Sequence, residues 1–210
     1  MSSSRPTESG IRFGFKEWAS VCQALAVGRQ ILILRRGGIQ ENGGEFTPSH
    51  QDFVLLPTFW HQQAHSLKAH DRTYLTWSNE HLPKGDILPI DLHAVVTDSF
   101  RIKSLNVLER IREYHVWSDE VITERYHRWK NDQIYGLIVR IYRLDQVHPL
   151  SVGPEYAGCR SWISLPEPIV PMAERPILTD PAFDRQRHEL RQRLDDAETW
   201  RPRNLADPSM

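Results

Sequence analysis

Phe15-Lys16-Glu17-Trp18-Ala19-Ser20-Val21-Cys22-Gln23-Ala24-Leu25-Ala26-Val27-Gly28 runs directly into Arg29-Gln30-Ile31-Leu32-Ile33-Leu34-Arg35-Arg36-Gly37-Gly38. Phe15, Trp18, Ala19, Cys22 and Leu25 recur at helical spacing, and Gly28 is placed to end that helix. Ile31-Leu32-Ile33-Leu34 is a continuous apolar run too short for a helix, so it reads as a buried strand. A helix followed by a strand that ends in arginines and glycines indicates an α+β scaffold with polar chemistry at a strand end.

Residues 37–51 are rich in glycine and turn formers and read as a long loop. Loops of that length inside a compact domain often carry function. Phe53 to Leu56 is the next strand, stopped by Pro57, and Trp60 to Leu67 reads as a short helix. Asp91–Ile102 favours a strand, and a helix carrying Leu105, Leu108 and Ile111 follows. Ser118 is a good N-cap for another helix, bearing Ile122, Tyr126 and Trp129. Ile134–Leu144 alternates as a strand does, and Arg160–Leu165 is a shorter one. A proline-rich stretch from Pro166 to Pro176 leads to a last helix, where Asp180 can cap and Pro181 suits the first turn. Phe183, Leu190, Leu194 and Ala197 form its narrow apolar stripe, to dock on the domain or on a second subunit.

The expected organisation is a disordered tail over 1–11 and a single α+β domain over 12–166. A connector over 167–179, a C-terminal helix over 180–200 and a tail over 201–210 complete it.

The 210 residues can bury a core without disulfides, and a formal net charge of -1 argues against strong nonspecific binding of polyanions by the whole surface. A local basic surface remains compatible with that total. Cys22 and Cys159 are too few for a disulfide framework or a zinc-finger ligand set and read as small buried apolar residues. The first ten residues lack the apolar segment of a secretory signal, and no run is long enough to span a bilayer, so the cytoplasm is the expected location, with no membrane partner.

Taken whole, the chain resembles a bacterial family classed as a domain of unknown function. The features that carry the resemblance are Phe15-Lys16-Glu17-Trp18 with Ala24-Leu25, Leu34-Arg35-Arg36-Gly37-Gly38-Ile39, Gly44-Glu45-Phe46, Pro57-Thr58-x-x-His61-Gln62 and His115-Val116-Trp117-Ser118. They cover roughly residues 13–166.

A shorter stretch is similar to the opening of ASCH domains, which are small PUA-like β-barrels associated with RNA. It comprises Lys16-x-Trp18-Ala19, then Gly28, then a strand ending in Arg35. In Gly-x-Lys-Thr-x-Glu-x-Arg, the pattern of that family, Gly28 and Arg35 match, while Gln30, Ile31 and Ile33 replace the Lys, Thr and Glu. Those three are the implied catalytic groups where such proteins hydrolyse a modified nucleoside, so the resemblance implies a binding barrel without that chemistry. The implied fold is a mixed, strongly curved sheet or small PUA-like β-barrel flanked by helices, with a C-terminal appended helix.

Guanidinium groups bind phosphate bidentately and glycines let backbone amides approach an anion, which makes Arg35, Arg36, Gly37 and Gly38 candidate phosphate ligands. The plain alternative is a solvent-facing strand end with two solubilising arginines. Thr58, His61 and Gln62 stand where a strand gives way to a helix, in reach of polar ligand edges. Thr58 could equally be the N-cap of that helix. His61 and His65 have i,i+4 spacing, but the Glu of an HExxH motif is missing, so incidental histidines are the better reading.

Among seven tryptophans, Trp60 and Trp117 adjoin polar signature residues and are the candidates for stacking a base; Trp18 and Trp129 lie on apolar stripes. Arg140, Arg143 and Arg160 either share one basic face or are ion-paired.

The resulting expectation is a binding domain for RNA or a modified nucleotide, without a cofactor and leaning away from catalysis. The alternative is a metal-dependent phosphodiesterase or nuclease using Glu45, His50, Asp52 and His61 with a divalent ion. A further alternative is an interaction module that forms a homo-oligomer or meets a partner through residues 180–200.

Overall fold

A computed structural model describes residues 10–36, 49–128, 132–153, 156, 158 and 160–199. Most of both terminal tails and residues 37–48, with Gly37, Gly38 and Glu45, lie outside the described residues, as do Trp129 and Cys159.

The protein is α+β, built on one mixed sheet. Its strands are β1 (Ile11–Trp18), β2 (Leu32–Arg35), β3 (Asp52–Thr58), β4 (Ile87–Ile102), β5 (Ile134–Ser151), β6 (Trp162–Ile169), β7 (Glu174–Pro176) and β8 (Glu198–Thr199). The main path runs β2-β5-β4-β3-β1-β6; β7 pairs with β5 and β8 with β4. The β1–β3 pairing is parallel, whereas the other strand pairings are antiparallel. Among the described residues β2 and β6 share no backbone pairing, so the sheet is open. It nevertheless curls far enough for Arg35 at the end of β2 to reach Ser161, just before β6.

The helices are α1 (Ala19–Ala26), α2 (Thr73–Glu80), α3 (Leu105–Arg110), α4 (Asp119–His127) and α5 (Asp180–Arg193). α1, α4 and α5 contribute to the main apolar core, which centres on Phe15, Leu32, Phe53, Trp117, Leu137 and Leu190. A smaller core gathers Val54, Leu56, Leu88, Ile90, Leu150 and Ile163. β4 and β5 supply residues to both, and irregularities in their pairing near Asp91 and Thr97 bend the long ribbon that they form.

The helix expected from Phe15 starts only at Ala19. Ile11, Phe13 and Phe15 also alternate with period two, and pairing with β3 on one side and β6 on the other makes that the stronger pattern. Gly14 shows how closely β1 is packed, since a Cβ there would lie 2.5 Å from Leu56 Cδ1. Gly28 ends α1 as expected, with φ +72° and its amide donating to Leu25 O at 3.1 Å.

Pro57 does not stop its strand. β4 pairs only Asp52, Phe53 and Val54, so from Leu55 onward β3 has one registered neighbour and a missing N–H costs it no ladder bond on the open side.

The helix expected over Trp60–Leu67 reduces to a three-residue 3-10 turn, Ala64–Ser66. The backbone there is committed elsewhere: Ser118 donates to Ser66 O at 2.9 Å and Lys68 donates to Val116 O at 3.0 Å.

Ser118 does cap α4, its Oγ accepting from the Val121 amide at 3.4 Å. In α5 the N-cap is Thr179, and Asp180 pairs instead with Arg140. Phe183, Leu190 and Leu194 are buried against the domain's own core, and Arg187 holds Asp98 with two hydrogen bonds of 2.6 and 3.2 Å.

His93 ties β4 to two other strands. Its Nδ1 lies 2.7 Å from Glu174 Oε2 on β7 and its Nε2 lies 3.5 Å from Asp52 Oδ1 on β3. Burial disfavours the charged ring, but the two carboxylates outweigh it and raise the pKa to about 9. A folded-state pKa above the unfolded value stabilises the protein fully below the ordinary histidine pKa, and the contribution disappears as pH rises through about 9. We predict a loss on the order of 2–3 kcal/mol in unfolding free energy from this group between slightly acidic and alkaline pH. Urea titrations of wild type and His93→Gln across that range check it. Parallel pH profiles for the two proteins would contradict it.

Candidate functional site

The C-terminal ends of β1, β2 and β3 converge on one side of a cleft of about 900 Å³. Glu17 and Trp18 come from β1, Leu34 and Arg35 from β2, and Pro57 and Thr58 from β3. One face of α4 lines it too, through Val121, Glu124, Arg125 and Arg128, spaced as successive turns require. Tyr156, Gly158, Arg160 and Ser161 complete the wall ahead of β6.

Charge distinguishes this cleft from the rest of the chain. Lys16, Arg35, Arg36, Arg125, Arg128 and Arg160 line it, against the carboxylates of Glu17 and Glu124. The whole chain carries a net charge of -1, so cationic groups are concentrated here. Concave walls with one dominant sign focus potential and attract the opposite charge.

The cations differ in how far they are committed. Arg35 Nη2 donates to Ser161 Oγ at 2.7 Å, its Nη1 lies 3.8 Å from Glu17 Oε2, and its guanidinium sits 5.2 Å from the Phe15 ring centroid. Arg36 Nη1 donates to Gln133 O at 2.7 Å. Lys16 Nζ donates to the carbonyls of Tyr156 and Gly158 at 2.9 and 2.6 Å. Arg125 rests over the Trp117 ring at 3.7 Å, and burial, the leading cause, pushes its pKa down to about 10, so it stays charged at neutral pH. Arg128 and Arg160 are the exposed cations; Arg128 pairs with Glu124 at 3.0 Å, a one-turn helical pair that a stronger anion can displace.

Of the residues singled out in the sequence, Arg35, Arg36, Thr58, Trp60 and His61 are brought together on the cleft wall, with His65 beside them. Thr58 Oγ1 donates to Glu17 O at 3.1 Å, which fixes the β1 end rather than capping a helix. Trp60 is 66% exposed, an unusual surface for the largest apolar side chain. His61 has φ +64°, the one non-glycine positive value among the described residues, and strained backbone of that kind gathers at functional sites.

Gln62 is not on the wall. It accepts from the Ser20 amide at 2.9 Å and donates to Ser78 Oγ at 2.8 Å, a strut between α1 and α2. Trp117 is 1% exposed, packed edge-on against Trp18 at 4.8 Å and covered by Arg125, so it offers no ring face to a base.

Of the residues named for the metal alternative, His50, Asp52 and His61 are described, and they are not gathered at one point. Asp52 begins β3 and His61 follows its far end, about 20 Å away at the rise of an extended strand. Asp52 faces His93, and His50 stacks on Phe13 with ring centroids 3.4 Å apart. Among the described residues no three His, Cys, Asp or Glu side chains form a group able to hold a metal ion. Arg140 and Arg143 are ion-paired with Asp180 and Asp91, leaving Arg160 as the member of that trio on the cleft.

Sequence reading missed Glu17 and the α4 arginines. The signal for the latter was present: Ile122 and Tyr126 turn inward, and Glu124, Arg125 and Arg128 lie on the cleft side of the same helix. Nothing along the chain marked Glu17 as a buried charge.

No helix among the described residues is long and apolar enough to cross a membrane. No curated protein matches the chain. Two solved structures of Zymomonas mobilis ASCH protein are similar to it. A point mutant shows 10% identity, with a TM-score of 0.40, over 86% of this chain and 96% of that one. The other ASCH structure shows 11% identity, with a TM-score of 0.36, over 90% and 96%. The family model described as Domain of unknown function (DUF1802) matches residues 14–189, and the chain belongs to that family.

Proposed function

We propose that the cleft binds RNA, or a modified nucleotide, through its phosphate and one exposed base. The observation that carries this reading is the gathering of six cationic side chains in one cleft of a chain whose net charge is -1, with the exposed Trp60 at its wall. Arg128 and Arg160 meet phosphate, Arg35, Arg36 and Arg125 set the potential of the interior, and Trp60 stacks a base. Thr58 and His61 line the same space.

Neither alternative is favoured by a specific contact. In the phosphodiesterase reading His50 and Asp52 stand at one end of β3 and His61 beyond the other, and the apolar stripe of α5 is occupied by the domain's own core.

Base stacking on an aromatic side chain contributes about 1–3 kcal/mol. Trp60→Ala is therefore expected to weaken binding of a short single-stranded RNA by about 5- to 150-fold. Because Trp60 is exposed, the thermal midpoint should stay within a degree or so of the wild type. Fluorescence anisotropy with a labelled oligoribonucleotide and a thermal melt of both proteins measure this. Equal affinities would remove Trp60 from the proposed site.

A further inference from the structure

Glu17 is the anomaly of the cleft. It is 2% exposed, it lines the wall, and the charges of Arg35 and Arg125 act on it. Its two oxygens are not equivalent. Oε1 accepts the Trp18 amide at 2.8 Å, which fixes the carboxylate plane. Oε2 is buried without a hydrogen-bond partner among the described residues, and Arg35 Nη1 stands 3.8 Å from it, beyond hydrogen-bond length.

Buried polar atoms are nearly always paired, and an ionised acceptor left open costs more than a neutral one. An unpartnered acceptor on a residue of the cleft wall is explained if a ligand, on entering, supplies the donor. A carboxylate accepts only, so the group facing it must carry N–H or O–H.

Resting on the nucleotide-binding reading above, we propose that Glu17 is a specificity-determining residue: its Oε2 accepts a hydrogen bond from the exocyclic amino group of a nucleobase. Two features select this donor. Glu17 is recessed, and an exocyclic amino group projects beyond the ring, whereas the ring N–H of uracil is flanked by carbonyl oxygens that a carboxylate repels. Only Oε2 is unpartnered, so guanine, whose amino group adjoins a ring N–H donor, would leave that second donor unpaired. Arg35 Nη1, 3.8 Å from Oε2, would donate to the unprotonated ring nitrogen that accompanies such an amino group in adenine and cytosine. The ligand class is therefore an amino-bearing base, adenine or cytosine, in a phosphate-containing chain. Carboxylate recognition of an exocyclic amine is an established readout in base recognition.

The test compares short oligoribonucleotides of A, C and U, and of purine riboside, which is adenine without its amino group, on the wild-type protein at fixed salt. The expected result is that A or C binds at least about 10-fold more tightly than U, and that purine riboside loses the advantage that A has. Glu17→Gln places an amide N–H donor beside Arg35 and should erase that preference, so that A, C and U bind within about 2-fold of one another. A melt shows whether the variant folds; if it does not, the purine riboside comparison on the wild type decides alone. Binding of all oligomers with equal affinity would overturn the role of Glu17 and leave the cleft a nucleotide site. Binding of none would overturn the proposed function itself, and this inference with it.

Discussion

Arg35→Ala is expected to lower the free energy of unfolding by about 2–4 kcal/mol, an unusual penalty for an arginine at a strand end. Arg35 is half-buried and joins the two edges of the curled sheet. From β2 it reaches Ser161 before β6, covers Phe15 on β1, and pairs at 3.8 Å with the buried Glu17. Alanine removes these links and leaves a carboxylate that is 2% exposed without its neighbouring charge. Losing one member of a buried pair costs more than losing both. The double variant Arg35→Met with Glu17→Leu should therefore be more stable than the two single changes sum to. Urea unfolding of the four proteins measures the coupling. An Arg35→Ala protein within about 0.5 kcal/mol of wild type would mean that the guanidinium holds nothing together. This variant will also lose ligand affinity, so it is a poor test of whether Arg35 touches a ligand.

Trp117→Ala is expected to cost about 3–5 kcal/mol, the range for truncating a fully buried aromatic side chain. Trp117 is among the largest side chains with essentially no exposure. Its ring meets Trp18 edge-on and supports the Arg125 guanidinium, so its loss leaves a cavity under the cleft floor and unseats a cation of the wall. Thermal melts and urea titrations should show the loss, and RNA affinity should fall with it. Trp117→Phe keeps a ring below Arg125 and should retain most of the affinity. If Trp117→Ala were as stable as wild type but lost affinity alone, the indole would be a ligand contact and its placement in the core would be wrong.

Much of the scaffold was legible in the chain because local patterns and tertiary pairing agree there. Ile31–Leu34 is apolar throughout and forms β2, Gly28 ends α1 in the left-handed conformation it suits, and Ser118 caps α4. Reading failed where tertiary contacts overrode a local pattern. Phe15 and Trp18 fit a helical stripe, yet neighbouring strands on both sides recruit them into β1. Residues 60–67 look helical alone, but the chain at Val116–Ser118 takes their backbone hydrogen bonds.

The site was legible in part for the same reason. Arg35, Thr58 and His61 sit at strand ends, which sequence position reveals. That these ends face α4 depends on the curl of the sheet, which no short motif encodes. Gln62 and Trp117 illustrate the converse, since polar or aromatic character beside a signature residue does not distinguish a cleft wall from a strut or a core.

If this cleft meets phosphate, it does so through its exposed arginines, Arg128 and Arg160. The most direct test is the salt dependence of single-stranded RNA affinity for the wild type and for the Arg128→Ala, Arg160→Ala double variant. Each phosphate contact to a single strand contributes about 0.7 to the slope of log affinity against log salt. The slope is expected to be shallower by about 1.4 in the double variant, with unfolding unchanged because both side chains are exposed. Identical slopes for the two proteins would contradict it.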